Sequence, residues 1–358
     1  MKKINYYLLF VISITFSVIT LGAYVRLSHA GLGCPDWPGC YGILVGVPDN
    51  AVEILKAETN WQGWNVDIGK AWKEMIHRYL AGALGIFIFI ISFIFYKNNT
   101  HKLFKLAFLV SFLVIMQAAL GAYTVTLQLQ PLIVMLHLVG GLTIISLLWL
   151  LFLRYNKHNY FNEYQLFSNI SLKKINKLSF LGYSAFAVLL IQIMLGGWTS
   201  TNYAALACAD FPRCHNSWWP HMDFYNAFIV ELATDLNYEF GRLDSPARVA
   251  IHFTHRVWAL VVAAMLIYFS YVSFRTIKIP TQKLLSFLLI FFLFAQILLG
   301  ILNIKMSLPI YIAVAHNGNA ALLMMCLVTQ LYLIKTCLLY TSDAADERSS
   351  VDLGGRRI

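Results

Sequence analysis

Charge is what this 358-residue chain has least of. Only 12% of its residues are Asp, Glu, Lys or Arg, against roughly 25% in an ordinary soluble domain. With 59% hydrophobic residues and a mean hydropathy of +0.65, the chain cannot cover a water-facing surface, which excludes an ordinary soluble domain. Acids are scarcer than bases, 17 against 27, for a net charge of +10. That excess calls for no nucleic acid, because lysines beside a bilayer are expected next to anionic lipid. No cluster of cysteines and histidines at short spacing supplies four ligands to one ion, which disfavours zinc.

What the chain has instead is length without charge. Apolar runs of about 20 residues, enough to cross a bilayer core, occur at 6–25, 77–96, 104–124, 132–153, 178–198, 250–272, 283–303 and 311–336. These are eight predicted transmembrane helices. The basic connections hold Lys97, Lys102 and Lys105, then Arg154, Lys157, Lys173, Lys174 and Lys177, then Arg275, Lys278 and Lys283, while Lys2 and Lys3 precede the first helix. The positive-inside rule puts these and both termini in the cytoplasm. The long connections near 26–76 and 199–249 then face outward, and Trp61, Trp64, Trp72, Trp198, Trp218 and Trp219 in or beside them read as interfacial anchors. After Cys337 the chain becomes a polar stretch unlike the rest, read over 337–358 as a non-native tail, with a native disordered tail as the alternative, and left out of the fold.

The eight helices are two copies of four. LGAY at 21–24 ends the first helix and LGGW at 195–198 the fifth, and each is followed by a cysteine pair of equal spacing, GCPDWPGC at 33–40 and ACADFPRC at 207–214. QAALG at 117–121 ends the third helix and QILLG at 296–300 the seventh. Because four is even, both copies run the same way, so they should be related by a pseudo-twofold along the membrane normal. The expectation is an all-α membrane protein of two tandem four-helix bundles, residues 1–157 and 178–336, joined by a cytoplasmic linker at 158–177.

Each copy carries two intramembrane histidines. His77 and His137 are 60 residues apart and His255 and His316 are 61 apart, with arginine following the first of each pair, Arg78 and Arg256. Ionisable side chains in a membrane span usually mark function. Within each half the two histidines fall one or two turns into parallel helices, toward the outer leaflet, where two imidazoles can face each other across a bundle core. Two such pairs point to two axially ligated haems; hydrogen-bonded packing or proton relay is the alternative for any one histidine.

The halves differ one turn before the first histidine, where Glu74 in one copy corresponds to His252 in the other. Glu74 is a candidate for proton transfer or for stabilising a developing cation, or else a helix N-terminal charge favoured by the macrodipole. Arg78 and Arg256 could pair with haem propionates or anchor helix ends. Cys34 with Cys40, and Cys208 with Cys214, lie on the outward side, where disulfides persist. A loop staple is the reading for the second pair, while the first pair is open between a staple and a redox role.

LGAYVRLSHAGLGCPDWPGC, the EMIHR segment, IHFTHR, the two QxxLG helix ends and the last histidine helix together resemble haem A synthases, over residues 1 to 336. The resemblance implies oxidation of the C8 methyl of haem O to a formyl group, giving haem A for terminal oxidases. It implies that His77 and His137 bracket the haem O substrate, that Glu74 assists catalysis, and that His255 and His316 hold a resident haem B. The implied setting is the cell's inner membrane, with the lipid bilayer, a haem O synthase and cytochrome oxidase assembly as partners; a homo-oligomer is left open. Two other classes fit the residues: a di-haem b-type cytochrome carrying electrons from quinol, and a haem-handling transporter without catalysis.

Overall fold

The structure, a computed structural model, describes residues 2–156, 171–230, 233 and 236–354. Among these the secondary structure is helical apart from two isolated β-bridges. The helices are α1 (Lys2–Leu27), α2 (Ala51–Asn60), α3 (Ile68–Lys97), α4 (His101–Thr126), α5 (Pro131–Tyr155), α6 (Leu172–Thr201), α7 (Phe224–Ala227), α8 (Ser245–Thr276), α9 (Pro280–Lys305) and α10 (Ile310–Gly354). Eight of them are long and apolar enough to span a membrane, the last over Ile310–Cys337. The short α2 and α7 lie in the two long connections.

Several helices begin well before the apolar runs that announce them. Helix α3 starts at Ile68, nine residues ahead of His77, on the side chain of Asp67, whose oxygen accepts the Lys70 amide. Polar first turns are helical because the Asp67 cap satisfies an otherwise unpaired amide, and hydropathy does not register them. Residues 172–177, expected in the linker, belong to α6; residues 157–170 of the linker lie outside the described residues. Backbone helix also continues past the apolar span of α10 to Gly354. Trp198, expected as an interfacial anchor, is instead buried, its indole nitrogen donating to the Ala227 carbonyl at 2.8 Å.

Packing follows the duplication. In the first half α1 packs on α3, α3 on α4, α4 on α5 and α5 back on α1; in the second α6, α8, α9 and α10 close the same ring. The halves meet through α1 on α10, α5 on α6 and α5 on α10. Exchanging α1 with α6 and α5 with α10 maps that set of contacts onto itself, as a pseudo-twofold between α5 and α10 requires. Glycine permits close approach at both outer seams: a Cβ at Gly318 would meet Thr20 and Phe16 at 3.2 and 3.3 Å, and one at Gly197 would meet Met135 at 3.1 Å. In lipid such contact, with little hydrophobic force between helices, holds them together. Trp149 donates to Thr329 at 2.7 Å across the middle seam, and Arg26 to the Tyr203 hydroxyl at 2.8 Å near the outer end.

The end of each bundle carrying the basic residues is filled. Leu8, Ile88, Phe95, Val110, Ile145 and Leu148 interlock in the first half, and Ile175, Leu178, Leu266, Phe269, Leu289 and Leu327 in the second. A Cβ at Gly182 on α6 would fall 2.7 Å from Leu331 and 3.0 Å from the fully buried Phe269. Gly182→Val is therefore predicted to overpack this core and lower stability by about 1–3 kcal/mol. A melting temperature in detergent equal to the parent's would show that the core can yield here.

Candidate functional site

Each intramembrane histidine lies against a glycine of the neighbouring helix. His77 on α3 meets Gly22 of α1, His137 on α5 meets Gly121 of α4, His255 on α8 meets Gly196 of α6, and His316 on α10 meets Gly300 of α9; a Cβ on these glycines would stand 2.9, 3.3, 3.2 and 3.3 Å from the rings. These are the glycines of the repeated LG helix ends. Their role is now physical: the imidazole occupies the place a side chain would fill.

The pairs come from diagonal helices of each ring. His77 acts electrostatically on His137, and His316 on His255, so each pair converges inside its own bundle. All four rings are half-buried. His137 and His316 turn Cε1 and Nδ1 toward their glycines and His255 its Cε1 edge, whereas His77 turns Nε2. Nδ1 of His137 and of His316 is buried without a hydrogen-bond partner, a costly state for a polar atom. Paired imidazoles on diagonal helices, with glycine seats beside them, fit a flat iron porphyrin held by two axial ligands. Among the described residues no three His, Cys, Asp or Glu side chains group to hold a bare metal ion.

A disulfide loop closes each bundle on the outer side. Cys34 pairs with Cys40 and Cys208 with Cys214, at S–S distances of 2.02 and 1.96 Å. The two loops are copies. In the first, Asp36 accepts the amides of Tyr41 and Gly42 at 2.6 and 2.8 Å; in the second, Asp210 accepts those of His215 and Asn216 at 2.8 and 2.9 Å. The Asn216 amide, ahead of the His215 amide, holds the Asp210 carboxyl below its ordinary value. Burial, reinforced by nearby carboxylates, pushes the Tyr41 phenol up to about 12.

Arginine ties each loop to its helix. Arg78 donates to the carbonyls of Asp36 at 2.9 Å and Gly39 at 2.5 Å and forms an ion pair with Glu74. Arg256 donates to the carbonyls of Asp210 at 2.9 Å and Arg213 at 3.1 Å, to that of Cys208, and to His252 at 3.1 Å. Both guanidiniums are thus engaged by loop carbonyls, so binding a propionate would require them to exchange these bonds.

Glu74 and His252 occupy the same place. The Cys34 amide donates to Glu74 Oε2 at 3.0 Å and the Cys208 amide to His252 Nδ1 at 3.3 Å, and both side chains are 4% exposed. Glu74 is the seventh residue of α3, whose first turn holds no acid. The macrodipole acts only within the first turn, so it does not explain this carboxylate. Beside Gly33, which precedes Cys34, a polar cavity of about 320 Å³ lined by Asp67, Lys70, Gln128 and Glu239 opens outward.

One set of contacts was not anticipated from the sequence. Gln117 donates to the His137 carbonyl at 2.5 Å, Gln296 to the His316 carbonyl at 3.1 Å, and Gln192 to the His255 carbonyl at 3.2 Å, with its nitrogen also 3.2 Å from His255 Nδ1. Each glutamine stands four residues before the glycine that seats the same histidine. The spacing was visible in two of them, but not its purpose.

Fold and site define the class first: a multi-pass membrane protein with a histidine pair inside each of two duplicated helical bundles. The sequence from 5 to 328 matches the family model described as cytochrome oxidase assembly protein, and the chain belongs to that family. A relative from Shewanella oneidensis named haem A synthase is 42% identical over 320 residues, covering 89% of this chain and 93% of the relative. Haem A synthases of Flavobacterium psychrophilum and Ehrlichia ruminantium are each 25% identical, covering 90% and 89% of this chain and 95% and 89% of their own.

The loop ties differ in one testable respect. Arg78→Ala would leave buried Glu74 without its cation, a loss of about 3–5 kcal/mol for a broken buried pair, whereas Arg256→Ala strands no carboxylate. Thermal unfolding in detergent should therefore be lowered more by Arg78→Ala, and equal shifts would show that the ion pair adds little.

Proposed function

We propose that this protein is a haem A synthase, converting the C8 methyl of haem O to a formyl group. The relatives' shared name supports the activity, and the observation that favours the N-terminal pocket for the chemistry is the carboxylate of Glu74 where the matching pocket has His252. The overall conversion takes up one water and releases four protons, two from the methyl carbon and two from that water, while four electrons leave the carbon for an external electron acceptor. In this reading the N-terminal half, 1–157, receives the substrate between His77 and His137. The C-terminal half, 178–336, holds haem B between His255 and His316, and when bound that haem supplies one-electron redox chemistry.

Glu74 contributes a carboxylate one helical turn from His77. There it can stabilise a cation developing on the substrate's methyl carbon or take a proton from the attacking water. Arg78 and the Cys34 amide hold that carboxylate in place. The polar cavity beside Gly33 gives water a way in from the outer face. The filled cores at the basic ends and the histidine pairs toward the other support a reading in which catalysis lies toward the outside of the inner membrane and the termini in the cytoplasm. The long farnesyl tail of haem O suits entry from the bilayer; a haem O synthase supplies the substrate and terminal oxidase assembly takes the product.

Haems extracted from cells making a haem O synthase together with this protein, identified by mass, test the activity. Glu74→Gln is predicted to keep the fold and the C-terminal haem but lower haem A formation about hundredfold, the scale of losing one acid/base group. His255→Ala or His316→Ala should remove a low-spin haem B spectrum. Near-normal haem A from Glu74→Gln would reduce Glu74 to an anchor for the loop, and two retained haem B groups with no haem A would make the protein an electron carrier.

A further inference from the structure

The four histidines are seated alike but not gripped alike. A Gln-x-x-x-Gly segment lies beside three of them: Gln117 and Gly121 beside His137, Gln192 and Gly196 beside His255, Gln296 and Gly300 beside His316. In each, the glycine accepts the imidazole against its backbone and the glutamine, one turn away on the same face, donates to the carbonyl of that same histidine. The two contacts fix both the register of the histidine helix and the ring's position. Asn319 further holds Gln296, donating to its Oε1 at 2.7 Å.

The fourth segment reads Val18-x-x-x-Gly22. Gly22 still seats His77, but valine has no donor for the carbonyl, and this is the ring that turns Nε2 rather than Cε1 toward its glycine. We propose that Gln117, Gln192 and Gln296 are positioning residues that make His137, His255 and His316 fixed axial ligands, and that Val18 leaves His77 as the yielding ligand through which the N-terminal site exchanges its porphyrin. This rests on the assignment of the two haem sites made above. A substrate that must enter and leave needs one ligand that lets go; a resident cofactor needs two that do not.

Gln192 carries the contrast, because α1 and α6 are the matched helices and Val18 and Gln192 the matched positions. Its Oε1 is buried with no partner. A neutral histidine binding iron through Nε2 carries its proton on Nδ1 and needs an acceptor there. The Gln192 carboxamide, already at His255 Nδ1, supplies one when it turns its oxygen to that nitrogen. The hydrophobic Val18 side chain offers His77 neither acceptor nor donor, and only the Val18 backbone meets the ring.

The test is porphyrin release. Protein loaded with haem B at both sites is mixed with excess apomyoglobin, and transfer is followed by absorbance. The parent should release in two phases, a fast one from the N-terminal site and a slow one from the C-terminal site. Gln192→Val should speed the slow phase at least tenfold, within the roughly 10–100-fold typical of losing a residue that supports a ligand. It should also shift the low-spin ferric resonance of that haem. Gln192→Met, which keeps the volume without the amide, should behave alike and guards against a packing void. Val18→Gln should slow the fast phase by a similar factor. Unchanged release in either Gln192 variant or in Val18→Gln overturns the inference. His255→Ala separates the levels: if it abolishes the slow phase while the other variants release as the parent does, only the grip is wrong; if it leaves the slow phase intact, the ligand assignment itself falls.

Discussion

An imidazole can sit between two packed helices only where the facing helix gives up a side chain. Four helices of this protein do so, at Gly22, Gly121, Gly196 and Gly300, and a single added carbon at any of them would crowd a ring. Much of the architecture serves that close fit. The histidines must come from diagonal helices, so that their flanking neighbours can provide the glycines, which requires a closed ring of four. Two rings of four then need a seam that leaves these walls undisturbed. The halves meet along α1, α5, α6 and α10 with glycines of their own, Gly197 and Gly318, on faces distinct from the histidine seats.

The outer loops show what duplication preserves and what it releases. Each is a disulfide loop closed between cysteines six positions apart, with an aspartate that gathers two amides and an arginine from the helix below that gathers carbonyls. Either Glu74 or His252 suffices to accept the cysteine amide and meet the arginine. Since both solutions build the same loop, the scaffold does not require the difference between them. A buried carboxylate beside one histidine pair and an imidazole beside the other is a difference in chemistry laid on equal frames.

Much of this was legible in the residues. Paired histidines at matched spacing, the loop cysteines and the alternation of apolar and basic segments gave the helix count, the duplication and the pairing of the histidines, because each depends on order along the chain. What was hidden depends on contact across it. Gly22 and Gly196 read as helix ends, yet both lie inside helices and seat a ring. Trp198 read as an interfacial anchor from its position, but an acceptor at Ala227 draws it inside. The polar first turns of α3 and α8 are invisible to hydropathy, which is why Glu74 could be mistaken for a helix-terminal charge. Gln192 drew no notice because its counterpart is valine, so the repeat that revealed the other features concealed this one.

That concealment has a physical sense. Alignment of two copies exposes what they share, and what they share is scaffold: rings of helices, glycine seats and tied loops. Function that differs between the copies must reside where the alignment breaks. Two breaks fall around His77, Glu74 on its own helix and Val18 on the helix facing it, and both distinguish the same site from its partner. One places a carboxylate within a turn of His77, and the other removes the side-chain bond that would hold the His77 helix in register. A site altered in both its charge and its grip, on an otherwise repeated frame, is suited to a molecule that reacts and departs, while the more fully gripped pair is suited to one that stays.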